Sequence, residues 1–82
     1  MAERELSFGE YLTQLREAKD VTLRELARKI GVSAPFLSDV EKNRRAPLTA
    51  ERLEKVAAVL GLSEEEKAEM YDMAGKQRNA IA

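Results

Sequence analysis

A glycine placed between two short apolar periodicities limits what this chain can fold into. Leu23, Leu26, Ala27 and Ile30 recur at the spacing of one helical face, Gly31 follows, and Leu37 and Val40 form a second face beyond Val32. The pattern predicts one helix from Thr22 to Ile30 and another from Ser33 to about Lys42. A chain that leaves one helix and bends sharply into the next needs φ > 0 at the bend, which glycine adopts at no steric cost. Ala27 lies one turn before that glycine, and its small side chain lets the second helix cross close to the first. Residues 22–45 therefore read as two short helices crossing steeply over a tight turn.

The rest of the chain supplies helices to pack on that pair. Ser7 and Glu10 have the spacing of a capping box. The helix they open carries an apolar stripe of Phe8, Tyr11, Leu12, Leu15 and Ala18, and should end near Lys19 and Asp20. Thr22 with Glu25 and Ser63 with Glu66 repeat the capping-box spacing, and Ser33 is a further N-cap. Pro35 falls in the first turn of its helix, where a missing N–H costs little. Asn43 is the expected left-handed C-cap, and Arg44-Arg45-Ala46-Pro47 makes a basic turn that cannot stay helical at Pro47. Thr49 caps a fourth helix with a Leu53, Val56, Ala57 and Leu60 stripe; Gly61 ends it and Leu62 folds back. The fifth helix presents Met70, Tyr71, Met73 and Ala74 and should stop at Gly75. The expectation is an all-α, compact five-helix domain over residues 7–75, with a flexible lead-in at 1–6 and a frayed tail at 76–82.

Several chemistries are set aside by residue type. The chain of 82 residues has no Cys and no His, so it has no disulfide framework, no thiolate metal site and no imidazole base. Its acidic residues fall at caps and on solvated faces, and no phosphate-cradling loop or dinucleotide fingerprint is present. No enzyme activity, metal, cofactor or small-molecule substrate is expected. No apolar run approaches the length of a membrane span, and no signal-peptide pattern opens the chain, so a cytoplasmic protein without a membrane partner is expected. The formal net charge is −1, yet it is distributed unevenly. Residues 22–45 hold six Lys/Arg against three Asp/Glu, whereas the segments on either side are each net acidic. The helix pair is the basic island of an acidic chain.

From about Leu12 to Leu62 the chain resembles the phage-repressor/Cro-type (XRE-family) helix-turn-helix domain. Leu26, Ala27, Gly31, Val32, Leu37, Val40 and Glu41 carry the likeness, continued by the turn from Lys42 to Pro47 and by Leu53, Ala57, Leu60, Gly61 and Leu62. The resemblance implies a lambda-repressor-like fold and sequence-specific binding of double-stranded DNA. Helix 33–42 would lie in the major groove and helix 22–30 would cross above it. It implies an ion pair between Arg16 and Glu41, which would fix the angle of the reading helix. It also implies a regulator, a repressor by expectation, that acts as a homodimer on two related half-sites.

The base-reading candidates are Ala34, Pro35, Phe36, Ser38 and Asp39. None of them is Arg, Gln or Asn, the residues that bond guanine or adenine in bidentate fashion. Asp39 can accept from a cytosine amino group, and the apolar members can pack on a thymine methyl. The phosphate candidates are Thr22, Arg24, Ser33, Lys42, Asn43, Arg44 and Arg45. Two assignments stay open at this level. Phe36 belongs either to the core edge or to the DNA face, and Met70, Tyr71 and Met73 are either core or a dimer contact. A protein-interaction or antitoxin-like module using its C-terminal helix, with a protein partner, is the alternative function.

Overall fold

The computed structural model describes residues 6–81. It contains helices α1 (Phe8–Ala18), α2 (Leu23–Ile30), α3 (Ala34–Glu41), α4 (Ala50–Leu60) and α5 (Glu64–Ile81), and no strand among the described residues. The lead-in expected over 1–6 lies outside the described residues apart from Leu6, as does the last residue of the expected tail.

Each start signal does what its chemistry demands. Ser7, Thr22, Ser33 and Thr49 have extended backbone and accept from the N–H three residues on. Ser7 and Glu10 bond reciprocally, and so do Ser63 and Glu66. The bond from the Ser63 N–H, aided by Lys19, holds the Glu66 carboxyl below the usual range. Thr22 departs from expectation: it caps α2, but the Glu25 carboxylate pairs with Lys29 at 3.2 Å instead of closing the box.

Four helices end in one way. The N–H of Val21, Val32, Arg44 and Leu62 donates back five residues, to the carbonyls of Arg16, Ala27, Asp39 and Ala57, at 2.8–3.1 Å. The residue before each donor is left-handed: Asp20 (φ 58°), Gly31 (φ 83°), Asn43 (φ 61°) and Gly61 (φ 62°). Asp and Asn tolerate that region better than other side chains, which explains two sharp stops without glycine.

The core is drawn from every helix and includes Phe8, Leu12, Leu26, Leu37, Val40, Leu53, Val56 and Met70, each at most 1% exposed. The α2 helix packs on α3 and α4, while α1 packs on α3 and α5. Three features depart from the sequence reading. Ala18, in the last turn of α1, is exposed. Pro47 and Leu48, between α3 and α4, are buried and plug the core from a loop. And α5 continues through Gly75 to Ile81. Glycine inside a helix costs about 1 kcal/mol. Here buried Ala74 comes just before it, Asp72 and Lys76 pair across it at 3.2 Å, and Arg78 donates to the Leu48 carbonyl beyond it. The helix has tertiary reasons to go on.

Two joints set where α3 sits. At the first, Glu41 accepts from Arg16 through Nε (2.8 Å) and Nη2 (3.1 Å), while Arg16 Nη1 donates to the Val21 carbonyl (3.0 Å). The side chains are 12% and 7% exposed, so this is a largely desolvated bidentate pair. Thr13 Oγ1 lies 2.9 Å from both Glu41 Oε1 and the Gly9 carbonyl, and its one proton serves either acceptor. At the second joint, the Gly9 N–H donates to Asn43 Oδ1 (3.1 Å) and Asn43 Nδ2 donates to Ser7 Oγ (2.7 Å). A Cβ at Gly9 would overlap the Glu41 carbonyl oxygen and come within 2.7 Å of Asn43 Oδ1. Glycine is required there for close approach.

Two outcomes follow for stability. Arg16→Met strands a buried carboxylate and should lower the unfolding free energy by about 3 kcal/mol. Adding Glu41→Leu should recover most of that loss in urea titrations followed by circular dichroism. Gly9→Ala improves helix propensity, yet it should destabilise by about 2 kcal/mol because α1 must retreat from α3. An unchanged urea midpoint would mean that the two helices do not need this contact.

Candidate nucleic-acid interface

The exposed side of the helix pair is built outward from α3. Leu37, Val40 and Glu41 face inward and are buried. The remaining positions face outward: Pro35 is exposed, and Ala34, Phe36, Ser38 and Asp39 are half-buried. The base-reading candidates thus share one side of a helix, and Ala34 and Phe36 also pack on the core edge. Phe36 is a rim residue whose ring remains accessible.

Around α3 lie the phosphate candidates. Thr22 and Ser33, exposed at the starts of α2 and α3, accept from the N–H groups of Glu25 and Phe36 at 3.1 Å. Each hydroxyl keeps its own proton for an outside acceptor, beside the positive end of a helix. Arg24 is exposed on α2, and Lys42, Arg44 and Arg45 are exposed at the end of α3 and in the turn that follows. Asn43 also has a structural role that its local sequence did not announce. Its left-handed backbone is as expected, but its amide joins Gly9 and Ser7 and acts as a hinge pin between α1 and α3.

The basic turn is organised by α3 itself. Asp39 faces both arginines: Oδ1 is 3.9 Å from Arg44 Nη1 and Oδ2 is 3.7 Å from Arg45 Nε. The Arg45 guanidinium lies over the Phe36 ring, 4.8 Å from its centroid, and Arg52 approaches the same ring at 5.7 Å. Arg52 belongs to the first turn of α4 and was missed by sequence reasoning. Sixteen positions separate it from Phe36, and only the fold brings the two together. Phe36 is therefore a platform shared by one cation of the turn and one of α4.

The far side is different in kind. Met70 is fully buried and has no surface to offer a second copy, while Tyr71 and Met73 are half-buried against the core. The Tyr71 hydroxyl donates to the Glu54 carboxylate, which also pairs with Lys67 at 3.1 Å. That bond, with burial and the carboxylate's charge adding to it, pushes the Tyr71 phenol up to about 12. Glu54 is held below the usual range, first by Tyr71 and then by Lys67. These groups strap α5 to α4. Arg16 is pushed above its ordinary value, chiefly by its hydrogen bond to Glu41, with burial opposing. Among the described residues no cluster of His, Cys, Asp or Glu could hold a metal ion, and no helix is long and apolar enough to cross a membrane.

Comparison with known proteins points the same way. A family model described as a helix-turn-helix domain matches residues 7–70. The chain is 42% identical over 55 residues, 67% of its length and 50% of the relative's, to the HTH-type transcriptional regulator SinR of Bacillus subtilis. It is 40% identical over 57 residues, 70% of its length and 40% of the relative's, to the uncharacterized HTH-type transcriptional regulator Rv0474 of Mycobacterium tuberculosis. It is 31% identical over 68 residues, 83% of its length and 52% of the relative's, to the HTH-type transcriptional regulator DdrOP3 of Deinococcus deserti. The chain spans about half the length of the curated relatives it matches. No solved structure matches it at the same stringency. With α2, the left-handed Gly31 and α3 arranged as described, the chain belongs to the helix-turn-helix family, in its phage-repressor/Cro-type (XRE) branch.

Proposed function

We propose that this domain binds double-stranded DNA as part of a transcriptional regulator, with α3 in the major groove and α2 crossing above it. The observation that carries the reading is the arrangement at α3. One outward face, of short side chains with Phe36 at its rim, is flanked by two capped helix starts on one side and by Lys42, Arg44 and Arg45 on the other. Short side chains let the helix backbone approach the floor of the groove, and the flanking donors and cations suit the phosphate ridges beside it. The names of the relatives, all HTH-type transcriptional regulators, agree with it.

The proposed regulator is a repressor that works as a homodimer. A single α3 offers Pro35, Phe36, Ser38 and Asp39 to the bases, too few contacts to select a site alone, so a second copy on a related half-site supplies the remainder. Part of the selectivity then comes from DNA shape, because the reading face has no bidentate donor. The proposed action is binding alone, with no covalent step.

Selection from random duplexes at defined salt tests the reading. The expected result is a preferred sequence with paired half-sites about one helical turn apart, and an affinity that falls steeply as salt rises. Arg44→Ala/Arg45→Ala should weaken binding to the selected site at least about tenfold at 0.1 M salt and reduce the log–log salt slope by about 2. Binding without preference over bulk DNA and without salt dependence would defeat the proposal.

A further inference from the structure

The outward acidic residue of α3, Asp39, sits beside both arginines of the basic turn. Asp39 lies on the outward side of α3, half-buried, with one carboxylate oxygen toward Arg44 and the other toward Arg45. Separations of 3.9 and 3.7 Å are ion-pair contacts longer than a charge-assisted hydrogen bond. Arg44 and Arg45 are 68% and 53% exposed, so solvent screens both pairs and a phosphate can displace the carboxylate. Arg45 is also held from the other side, where its guanidinium rests on the Phe36 ring. Both arginines of the turn are thus paired with one carboxylate, and that carboxylate sits among the base-reading candidates.

We infer that Asp39 is a specificity-determining residue: its carboxylate restrains Arg44 and Arg45 until it finds a base-edge amino group to accept from. The inference rests on the DNA-binding reading above. On bulk DNA the arginines must leave Asp39 to reach phosphates, and the carboxylate is then left facing the polyanion without a partner. Both effects weaken non-specific binding. On a site that presents an amino group opposite Asp39, the carboxylate gains a donor as it gives up the arginines, and the cations go to the backbone at no net loss of partners. Cytosine N4 is the amino group in the major groove that a carboxylate reads. Phe36 positions Arg45 throughout, because its ring remains beneath the guanidinium whichever anion holds the other side.

The test is a comparison of wild type with Asp39→Asn, an isosteric change at a half-exposed position, on bulk duplex DNA and on the site selected by the wild type. The expected result is a threefold to tenfold rise in affinity for bulk DNA at 0.1 M salt (about one added phosphate contact), with a salt slope steeper by about 1. Affinity for the selected site should fall, because the carboxylate that accepts from the base amino group is gone, so discrimination drops by about tenfold or more. Selection with the variant should also lose one C·G preference in each half-site. A cycle with Arg45→Ala supplies the second measurement. On bulk DNA this change should cost little in wild type and severalfold in the Asp39→Asn background. Unchanged affinity for bulk DNA, or an Arg45→Ala cost equal in the two backgrounds, would overturn the inference while leaving the DNA-binding reading intact. A wild type with no salt-dependent DNA binding would overturn both.

Discussion

The bidentate bond between Arg16 and Glu41 is the constraint on which the outward face of α3 depends. Burying a carboxylate and a guanidinium removes both from water, and their mutual attraction offsets that loss only when the geometry is good and the remaining valences are filled. Here they are. Glu41 takes two guanidinium N–H groups and has Thr13 beside it, and the third arm of Arg16 reaches the Val21 carbonyl. Val21 immediately precedes the N-cap of α2, so one side chain on α1 touches both the entrance to α2 and the last turn of α3. A change in the angle between those helices must break a charge-assisted bond. The pair contributes orientation more than net stability.

Close backbone approach adds a second restraint of another kind. Gly9 brings the start of α1 against the Glu41 carbonyl, and the Asn43 amide bridges the Gly9 N–H and the Ser7 hydroxyl. Asn43 can do this because its backbone is left-handed, the conformation that ends α3. The residue that terminates α3 also pins it to α1, so the basic turn beginning one residue later starts from a fixed point.

Local features of this fold were legible in the sequence and distant ones were not. Caps and stops depend on residues three to five positions apart, so Ser7, Ser33, Thr49, Ser63, Gly31, Gly61 and Asn43 could be assigned from spacing alone. The outward face of α3 was legible for the same reason, since burying Leu37 and Val40 leaves the rest facing out. Leu48 looks like a loop residue until the core is seen to close over it. Gly75 carries a stop signal that Arg78, by reaching the Leu48 carbonyl, overrides. The Arg45–Phe36–Arg52 stack joins two elements across a loop, and no periodicity announces it. Asn43 shows the limit most clearly: its backbone conformation is a local property and could be read, while the partner of its side chain lies 34 positions away.

A net charge of −1 and the proposed DNA-facing surface are compatible because position, not total, decides what a phosphate meets. Three acidic residues of α5, Glu64, Glu65 and Glu66, lie in its first turn, where they complement the helix dipole, and Glu66 is further occupied by Ser63 and Lys19. Glu54 is occupied by Tyr71 and Lys67 on the same side. The carboxylates around α3 are likewise committed: Glu41 is turned inward to Arg16, Glu25 is paired with Lys29, and Asp39 lies between two arginines. Their commitments differ in strength. The Glu41 pair is desolvated and hydrogen-bonded, whereas each Asp39 contact is exposed and contributes at most about 1 kcal/mol. One acidic group of α3 is therefore structural and permanent, and the other is weakly held at the surface where a competing anion arrives. The same side-chain chemistry, placed on opposite sides of one short helix, fixes its angle from within and moderates its charge from without.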